Sequence, residues 1–231
     1  MCGRFTSRVS AAAVAEAFGL EPPAEMPVRY NIAPSQPIAV VRFDALAGRR
    51  ELAWVRWGLV PRWADDPAIG NRLINARAET VASKPAFRDA FRERRCLVVA
   101  DGFYEWKKTG GRKQPYHLGL RQGELLAFAG LWDQWQRSGA ALETATIVTT
   151  DANELVRPLH DRMPAIVAAD DYDRWLEPDC DHAQLMEVLR PYPAERMSAH
   201  PVSTLVNNTA NDVPECLEPD DRDNLRQMTL L

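Results

Sequence analysis

The pattern of hydrophobic and polar positions along the chain predicts a structure in which strands predominate. Short apolar or alternating runs, each bounded by turn residues, recur through much of the sequence. The segment Thr109-Gly110-Gly111-Arg112 joins two of these runs and indicates a β-hairpin, because glycine adopts the positive φ angles that tight hairpin turns require. The predicted strands are residues 38–43, 52–59, 95–100, 103–108, 114–120, 125–132, 144–149 and 165–169.

Helical patterns are fewer and shorter. Residues 10–18 predict a helix that Ser10 caps and Gly19 ends. Further helices are predicted at residues 83–94, 171–176 and 182–189, with Ser83 as the N-cap of the first, and the proline-bearing stretch after residue 190 is predicted to be mostly irregular. We therefore expect an α+β fold with a mostly antiparallel sheet, curled toward a barrel, and peripheral helices. No linker rich in Gly, Ser and Pro divides the chain, so residues 1–231 are predicted to form a single domain.

The composition excludes several classes of protein. The chain has 231 residues, of which 46% are hydrophobic and 26% charged, and these globular values argue against disorder, collagen and coiled coil for the bulk of the chain. No run of about 18 apolar residues is present, so no membrane association is expected, and the N-terminus lacks the apolar region of a signal peptide. The expected location is a reducing cytoplasm.

The net charge of −4 argues at first against a nucleic-acid partner, but the charges are unevenly distributed. Residues 1–115 carry 19 Lys and Arg against 12 Asp and Glu, a net charge of +7, whereas residues 116–231 carry a net charge of −11. This asymmetry fits a surface that faces a polyanion, and it also fits two ordinary solvated faces.

The four cysteines give no sign of a metal site or of any other cofactor site. Cys2, Cys96, Cys180 and Cys216 form no C-x-x-C pair and none lies at metal-ligand spacing from a histidine, so neither a metal nor a cofactor is predicted. Cys2 is distinguished by its position, because removal of Met1 would place an α-amine and a thiol on adjacent carbons. Such a 1,2-aminothiol can attack an aldehyde twice, first as an amine and then as a thiol. The alternative is a cysteine that is second in the chain by chance.

Three other residues are candidates for the chemistry. His160 lies in a polar turn between two elements, where catalytic groups are often held, although it could equally be an isolated loop histidine. Glu105 follows a buried strand and is flanked by aromatic residues, so desolvation would raise its pKa and suit it to acid–base work, unless it simply faces solvent. Asn75 could orient a substrate or the N-terminus, or it could be a turn asparagine.

Arginines accompany these candidates. Arg4, Arg77 and Arg162 each lie within two residues of Cys2, Asn75 and His160 respectively. The planar guanidinium suits phosphate recognition, although surface solvation is the simpler role for each. Pro34 and Trp63 are loop residues that could wedge between bases or stack on them, or could merely pack.

Seven blocks, in this order, make the chain resemble the SOS response-associated peptidase (SRAP) family over about residues 1–216. That resemblance leaves residues 217–231 as a tail. The blocks are residues 1–5 (MCGRF), 29–34 (RYNIAP), 57–61 (WGLVP), 75–80 (NARAET), 96–106 (CLVVADGFYEW), 147–150 (IVTT) and 160–164 (HDRMP).

The resemblance implies a function in the response to DNA damage. Cys2, freed of Met1, would crosslink to the ring-opened aldehyde of an abasic site in single-stranded DNA and shield it as a thiazolidine. Asn75 would hold the N-terminal residue, Glu105 would shuttle protons, and His160 would assist sugar ring opening and Schiff-base formation. The family's peptidase label would refer to removal of its own Met1. The residues implied to contact DNA are Arg4, Pro34, Trp63, Arg77, Thr149 and Arg162.

Two other functions fit part of the pattern. An N-terminal-nucleophile amidohydrolase, such as a glutamine amidotransferase, can also begin Met-Cys-Gly, but no glutamine-binding motif or second catalytic domain is visible. A non-catalytic nucleic-acid-binding module would need only the basic half of the chain. The protein is expected to act as a monomer in each case.

Overall fold

The computed structural model describes residues 2–123, 125–137 and 139–220, and strands dominate in these ranges. The α-helices are α1 (Ala11–Phe18), α2 (Arg88–Glu93), α3 (Tyr172–Leu176) and α4 (His182–Val188). The strands are β1 (Phe5–Ser7), β2 (Arg29–Ile32), β3 (Pro37–Asp44), β4 (Arg49–Trp57), β5 (Asn75–Arg77), β6 (Arg95–Ala100), β7 (Gly102–Thr109), β8 (Arg112–Leu120), β9 (Leu126–Arg137), β10 (Ala140–Asp151), β11 (Arg162–Pro164), β12 (Ile166–Val167) and β13 (Met197–Pro201).

Five strands close into a barrel in the order β10-β4-β3-β6-β9, with β9 pairing back onto β10. The β10–β4 pairing is parallel and the other four are antiparallel. Closure removes the open strand edges that an unclosed sheet would leave. The short strands β5 and β11 extend the pairing of β10, and β12 extends that of β9. The predicted α+β class with a curled, mostly antiparallel sheet is confirmed.

A second, antiparallel sheet packs against the barrel in the order β13-β8-β7-β1-β2. Phe5 and Phe103 from this sheet meet Phe128 of β9 edge to face, with ring centroids 5.8 and 6.1 Å apart. The strand β6 is buried along its whole length because it lies between two cores. Its residues Cys96 and Val98 join the core that includes Phe5 and Phe103 of the second sheet, whereas Leu97 and Val99 pack with residues of the helices.

Local signals located several elements correctly. The Ser10 hydroxyl accepts a hydrogen bond from Ala13 N, and Gly19 ends α1 with φ of 64°, as predicted. The hairpin between β7 and β8 turns through Gly110 and Gly111, which have φ angles of 55° and 81°. No helix in the described ranges is long and apolar enough to cross a membrane.

One prediction of secondary structure was wrong at its start. The helix expected over residues 83–94 begins only at Arg88, because Ser83 N and Lys84 N bond to Thr80 O in a preceding turn. The stretch after residue 190, expected to be mostly irregular, contains one strand, β13, which pairs with β8 along five residues. A proline at its end does not disrupt this edge strand. Of the predicted tail, residues 221–231 lie outside the described residues.

Candidate functional site

Cys2 lies directly before β1, and its side chain is fully buried. Strand β1 pairs with β7 so that Phe5 faces Phe103, and Tyr104 N donates a hydrogen bond of 3.0 Å to Arg4 O. This antiparallel register brings the residues ahead of β1 alongside Glu105. The fold therefore places the predicted nucleophile and the predicted acid–base residue next to each other, although they are far apart in sequence.

Asn75 holds the backbone of Cys2. Its Nδ2 donates a hydrogen bond of 2.8 Å to Cys2 O. Asn75 opens β5, which pairs in parallel with β10 and so stands beside the barrel rather than in a free turn. Its Oδ1 is buried and has no hydrogen-bond partner among the described residues, which leaves an acceptor for an incoming N–H or O–H donor.

Glu105 is an acid–base group poised near neutrality. Its side chain is buried, with 4% of the residue exposed, and burial raises its pKa to about 7. Burial, together with the neighbouring Glu105 carboxylate, also raises the pKa of the Cys2 thiol. At neutral pH the thiol is therefore protonated, and a carboxylate able to accept or return a proton lies beside it.

His160 ends the turn after β10, as the sequence predicted. Its backbone N donates to Val156 O, and Arg162 N donates a hydrogen bond of 2.9 Å to its Nδ1. Burial lowers the pKa of His160, so the ring is neutral at neutral pH and the proton is on Nε2. The Asp161 carboxylate is 2.7 Å from the same Nδ1 and becomes a hydrogen-bond partner only when that nitrogen is protonated.

The predicted DNA-contacting arginines occupy three different environments. Arg4 is half-buried, and its Nη1 donates to Asn31 Oδ1 at 2.7 Å and to Val206 O at 2.6 Å. Its guanidinium also lies 5.6 Å from the centre of the Trp106 ring. All these partners are neutral, so the charge of Arg4 is left for an anion. Arg77, by contrast, is exposed at the end of β5.

Arg162 and Thr149 lie inside the protein. The Arg162 guanidinium, 10% exposed, bonds to the carboxylates of Glu79 and Asp151 and to Thr149 O. The Thr149 hydroxyl is fully buried and donates to Ala76 O at 3.3 Å. These hydrogen bonds and ion pairs attach Arg162 and Thr149 to the scaffold around β5, β10 and β11.

The two predicted wedge residues also differ in exposure. Pro34 is half-buried and precedes Ser35, which has a positive φ of 71°. Trp63 is 51% exposed, which is unusual for so large an apolar side chain. The segment that follows it forms a short 3-10 helix at Pro67–Arg72, capped by Asp66. In the described ranges, no group of three or more His, Cys, Asp or Glu is placed to hold a metal ion.

The family model of the SOS response associated peptidase (SRAP) matches residues 1–209. The chain belongs to this family. YoqW, an abasic site processing protein of Bacillus subtilis, is 43% identical over 224 residues that span 94% of this chain and 99% of that protein. HMCES, an abasic site processing protein of Gallus gallus, is 39% identical over 222 residues that span 82% of this chain and 66% of that protein.

Solved structures share the fold of this SRAP chain. A protein from Bacteroides thetaiotaomicron superposes with a TM-score of 0.85 at 26% identity, over 95% of this chain and 100% of that one. A phage-related protein from Bordetella bronchiseptica superposes with a TM-score of 0.71 at 29% identity, over 88% of this chain and 95% of that one. The family resemblance that the seven sequence blocks predicted is confirmed.

Two residues in contact with Arg4 carried no role in the sequence interpretation. Asn31 Nδ2 lies within hydrogen-bond distance of three carbonyl oxygens in the loop after β13, while its Oδ1 holds Arg4. Trp106 Nε1 donates to Asn207 Oδ1 at 2.7 Å and the indole lies against Arg4. Both residues lie within blocks that identified the family, but their partners come from distant segments, so only the fold shows what they support.

Proposed function

We propose that this protein senses abasic sites in single-stranded DNA and shields them by forming a covalent crosslink through Cys2. The observation that carries the proposal is the arrangement at the start of β1, where a buried thiol lies beside a carboxyl of pKa about 7 and Asn75 holds its backbone. The abasic site processing relatives support the same substrate. This function requires removal of Met1, which lies outside the described residues.

The crosslink forms in two additions at one carbon. The freed α-amine of Cys2 adds to the C1′ aldehyde of the ring-opened deoxyribose, and the resulting carbinolamine loses one water to give a Schiff base. The Cys2 thiol then adds to the same carbon, forming a C–S bond while the nitrogen gains a proton. The product is a thiazolidine, and the net change is the loss of one water. No oxidant or reductant is needed.

Glu105 and His160 serve the proton transfers of this sequence. Glu105 accepts the proton that the amine loses on addition, returns it to the departing hydroxyl, and accepts the thiol proton in the second addition. Neutral His160 donates from Nε2 to the ring oxygen of the sugar and so assists opening. The buried Oδ1 of Asn75 accepts from the freed amine and aims it at the aldehyde.

DNA binding uses exposed and half-buried groups around this centre. Arg4 and Arg77 contact backbone phosphates, and Pro34 and Trp63 unstack the neighbouring bases, which favours single strands. Arg162 and Thr149 serve the site indirectly, because they hold the turn that carries His160. The protein acts as a monomer in a single domain. Its peptidase activity is the removal of Met1, by Cys2 itself or by an aminopeptidase, and reversal of the crosslink would be lyase-type chemistry.

The alternative of a glutamine amidotransferase-like amidohydrolase is not favoured, since the relatives process abasic sites. A binding module without covalent chemistry would not require a carboxyl of raised pKa beside a buried thiol.

The test is incubation with single-stranded DNA that carries one abasic site, followed by denaturing electrophoresis and mass spectrometry. We expect one adduct whose mass equals protein without Met1 plus DNA minus one water. Cys2→Ala should abolish it, whereas Cys96→Ala, which removes another buried thiol, should retain it. An adduct of equal yield in Cys2→Ala, or no adduct with the unaltered protein, would refute the proposal.

A further inference from the structure

The hairpin that carries Glu105 extends beyond the rest of its sheet as a two-stranded arm. Near its base, β7 pairs with β1 at Gly102 and Phe103, and β8 pairs with β13 from Tyr116 onward. We call residues 107–113 the basic arm. Among the described strands, these residues form ladder pairs only within the hairpin, and the pairing of Lys107 with Gln114 marks the base of the arm. Four residues from Glu105 to the end of β7 span about 14 Å at the rise of a strand.

The basic arm is strongly and uniformly charged. It carries four exposed cations, and no Asp or Glu occurs between Trp106 and Tyr116. No ion pair joins any of the four to a carboxylate in the described part of the chain. The cations are Lys107, Lys108, Arg112 and Lys113.

The register of the arm places like charges opposite each other. Lys108 and Lys113 are direct cross-strand partners, which is destabilising for a hairpin, and a two-stranded ribbon has little stability to spare. Several other basic residues of residues 1–115, among them Arg8, Arg29 and Arg42, pair with carboxylates. Within the described ranges, the arm lacks such neutralising partners.

The arm also lies close to the candidate site. Glu105 and the arm share one strand, and the positive charge of Lys108 adds to the burial that lowers the pKa of His160. An anion bound along the arm would therefore be continuous with a ligand seated at Cys2.

We propose that the basic arm binds the phosphodiester backbone of the DNA strand on one side of the abasic site. This inference rests on the proposed function for the identity of the DNA. The hairpin reaches about 14 Å from Glu105, which is long enough to follow one DNA strand past more than one phosphate. Its contacts hold the flank of the lesion and contribute to affinity, whereas the chemistry at Cys2 does not depend on them.

The test measures non-covalent binding to DNA that contains a stable abasic analogue without an aldehyde, so that no crosslink can form. The double variant Lys108→Gln, Lys113→Gln is compared with Arg174→Gln, Arg190→Gln, which removes two exposed charges from the acidic half. If the arm contacts two phosphates, the salt slope of log K falls by about 1.4 in the arm variant, at about 0.7 per contact for single strands. The affinity advantage of the unaltered protein then shrinks about sevenfold between 50 and 200 mM salt.

Flank length provides the second measurement. Oligonucleotides with about ten nucleotides on both sides of the analogue are compared with ones cut to about two nucleotides on either side. The arm variant should lose affinity for the full-length DNA and match the unaltered protein on DNA that lacks one particular flank. An unchanged salt slope, or an affinity loss equal for every flank length or equal to that of the control variant, would overturn the inference and leave the lysines as charges that keep the arm from aggregating.

Parallel crosslinking on aldehyde-bearing DNA separates this inference from the proposed function. The arm variant should show a crosslinking deficit that shrinks as the DNA concentration rises toward saturation, because the contacts of the arm contribute to affinity. Absence of any adduct with the unaltered protein would refute the covalent function, whereas the salt and flank measurements would still decide the role of the arm.

Discussion

Glu105→Gln is the most informative single perturbation, because the side chain keeps its shape and loses its charge. Burial raises the pKa of Glu105 from its ordinary value of 4.5 to about 7. Since the folded pKa exceeds the unfolded one, the folded protein binds more protons between these two values. The carboxylate therefore reduces stability progressively as the pH rises from 4.5 to 7, and the full cost persists above pH 7.

The magnitude follows from the size of this shift. At 1.36 kcal/mol per pKa unit, the ionised Glu105 costs roughly 3 kcal/mol of folding free energy. Glu105→Gln should therefore have the stability of the unaltered protein near pH 4 and exceed it by roughly 3 kcal/mol at pH 8. The same change removes the proton acceptor, so single-turnover crosslinking should slow about 100-fold and lose its inflection near pH 7. Affinity for DNA with the aldehyde-free analogue should stay within about twofold.

Two measurements check this prediction. Urea unfolding at pH 4 to 8 gives the stability difference, and quenched single-turnover assays over the same range give the rates. Glu16→Gln, at an exposed position of α1, is the matched control. It should change neither the stability nor the crosslinking rate. The reasoning fails if the stability difference between Glu105→Gln and the unaltered protein is independent of pH, or if the two proteins crosslink at equal rates.

The remaining predictions concern positioning, DNA contact and packing. Asn75→Ala removes the hydrogen bond to Cys2 O and should slow single-turnover crosslinking about tenfold without lowering DNA affinity; a rate equal to that of the unaltered protein would contradict its role. Arg77→Ala should lower the salt slope of binding by about 0.7, whereas Arg162→Ala should leave the slope unchanged and cost about 2 kcal/mol in urea unfolding, because its partners are carboxylates of the scaffold. The reverse pattern would assign Arg162 to the DNA. Gly102→Ala should cost about 3 kcal/mol, since its Cβ would lie 2.2 Å from His117 Nε2, and adding His117→Ala should restore part of the melting temperature; no restoration would point to another cause.

The site residues show how far sequence reasoning reached. The turn around His160 and the strand before Glu105 follow from local pattern, because turn residues and apolar runs act over a few neighbouring positions. Asn75 was expected to orient a substrate or the N-terminus, or to be a turn asparagine. It opens β5, whose pairing with β10 involves residues about 70 positions away. A three-residue strand carries too little periodicity to be detected from sequence alone.

For Arg162, the sequence suggested a ligand but did not show the ion pairs. Its spacing from His160 and its residue type suggested phosphate recognition. In the structure its guanidinium forms ion pairs with Glu79 and Asp151, which no short-range pattern connects to it. The charge asymmetry of the sequence likewise could not be interpreted until the structure showed which cations form ion pairs. Several arginines of the basic half are paired with carboxylates, whereas the four cations of the basic arm have no such pair in the described part of the chain.

The sequence by itself determined the family, the α+β class, the helix that Ser10 caps and the hairpin that turns at Gly110 and Gly111. Each of these depends on ordered blocks or on interactions among residues a few positions apart. The tertiary structure alone decided the protonation of Glu105, the anchoring of Cys2 by Asn75 and which cations of the described ranges form ion pairs. Desolvation and ion pairing depend on the groups that the fold brings into contact, and those groups come from strands distant in the chain.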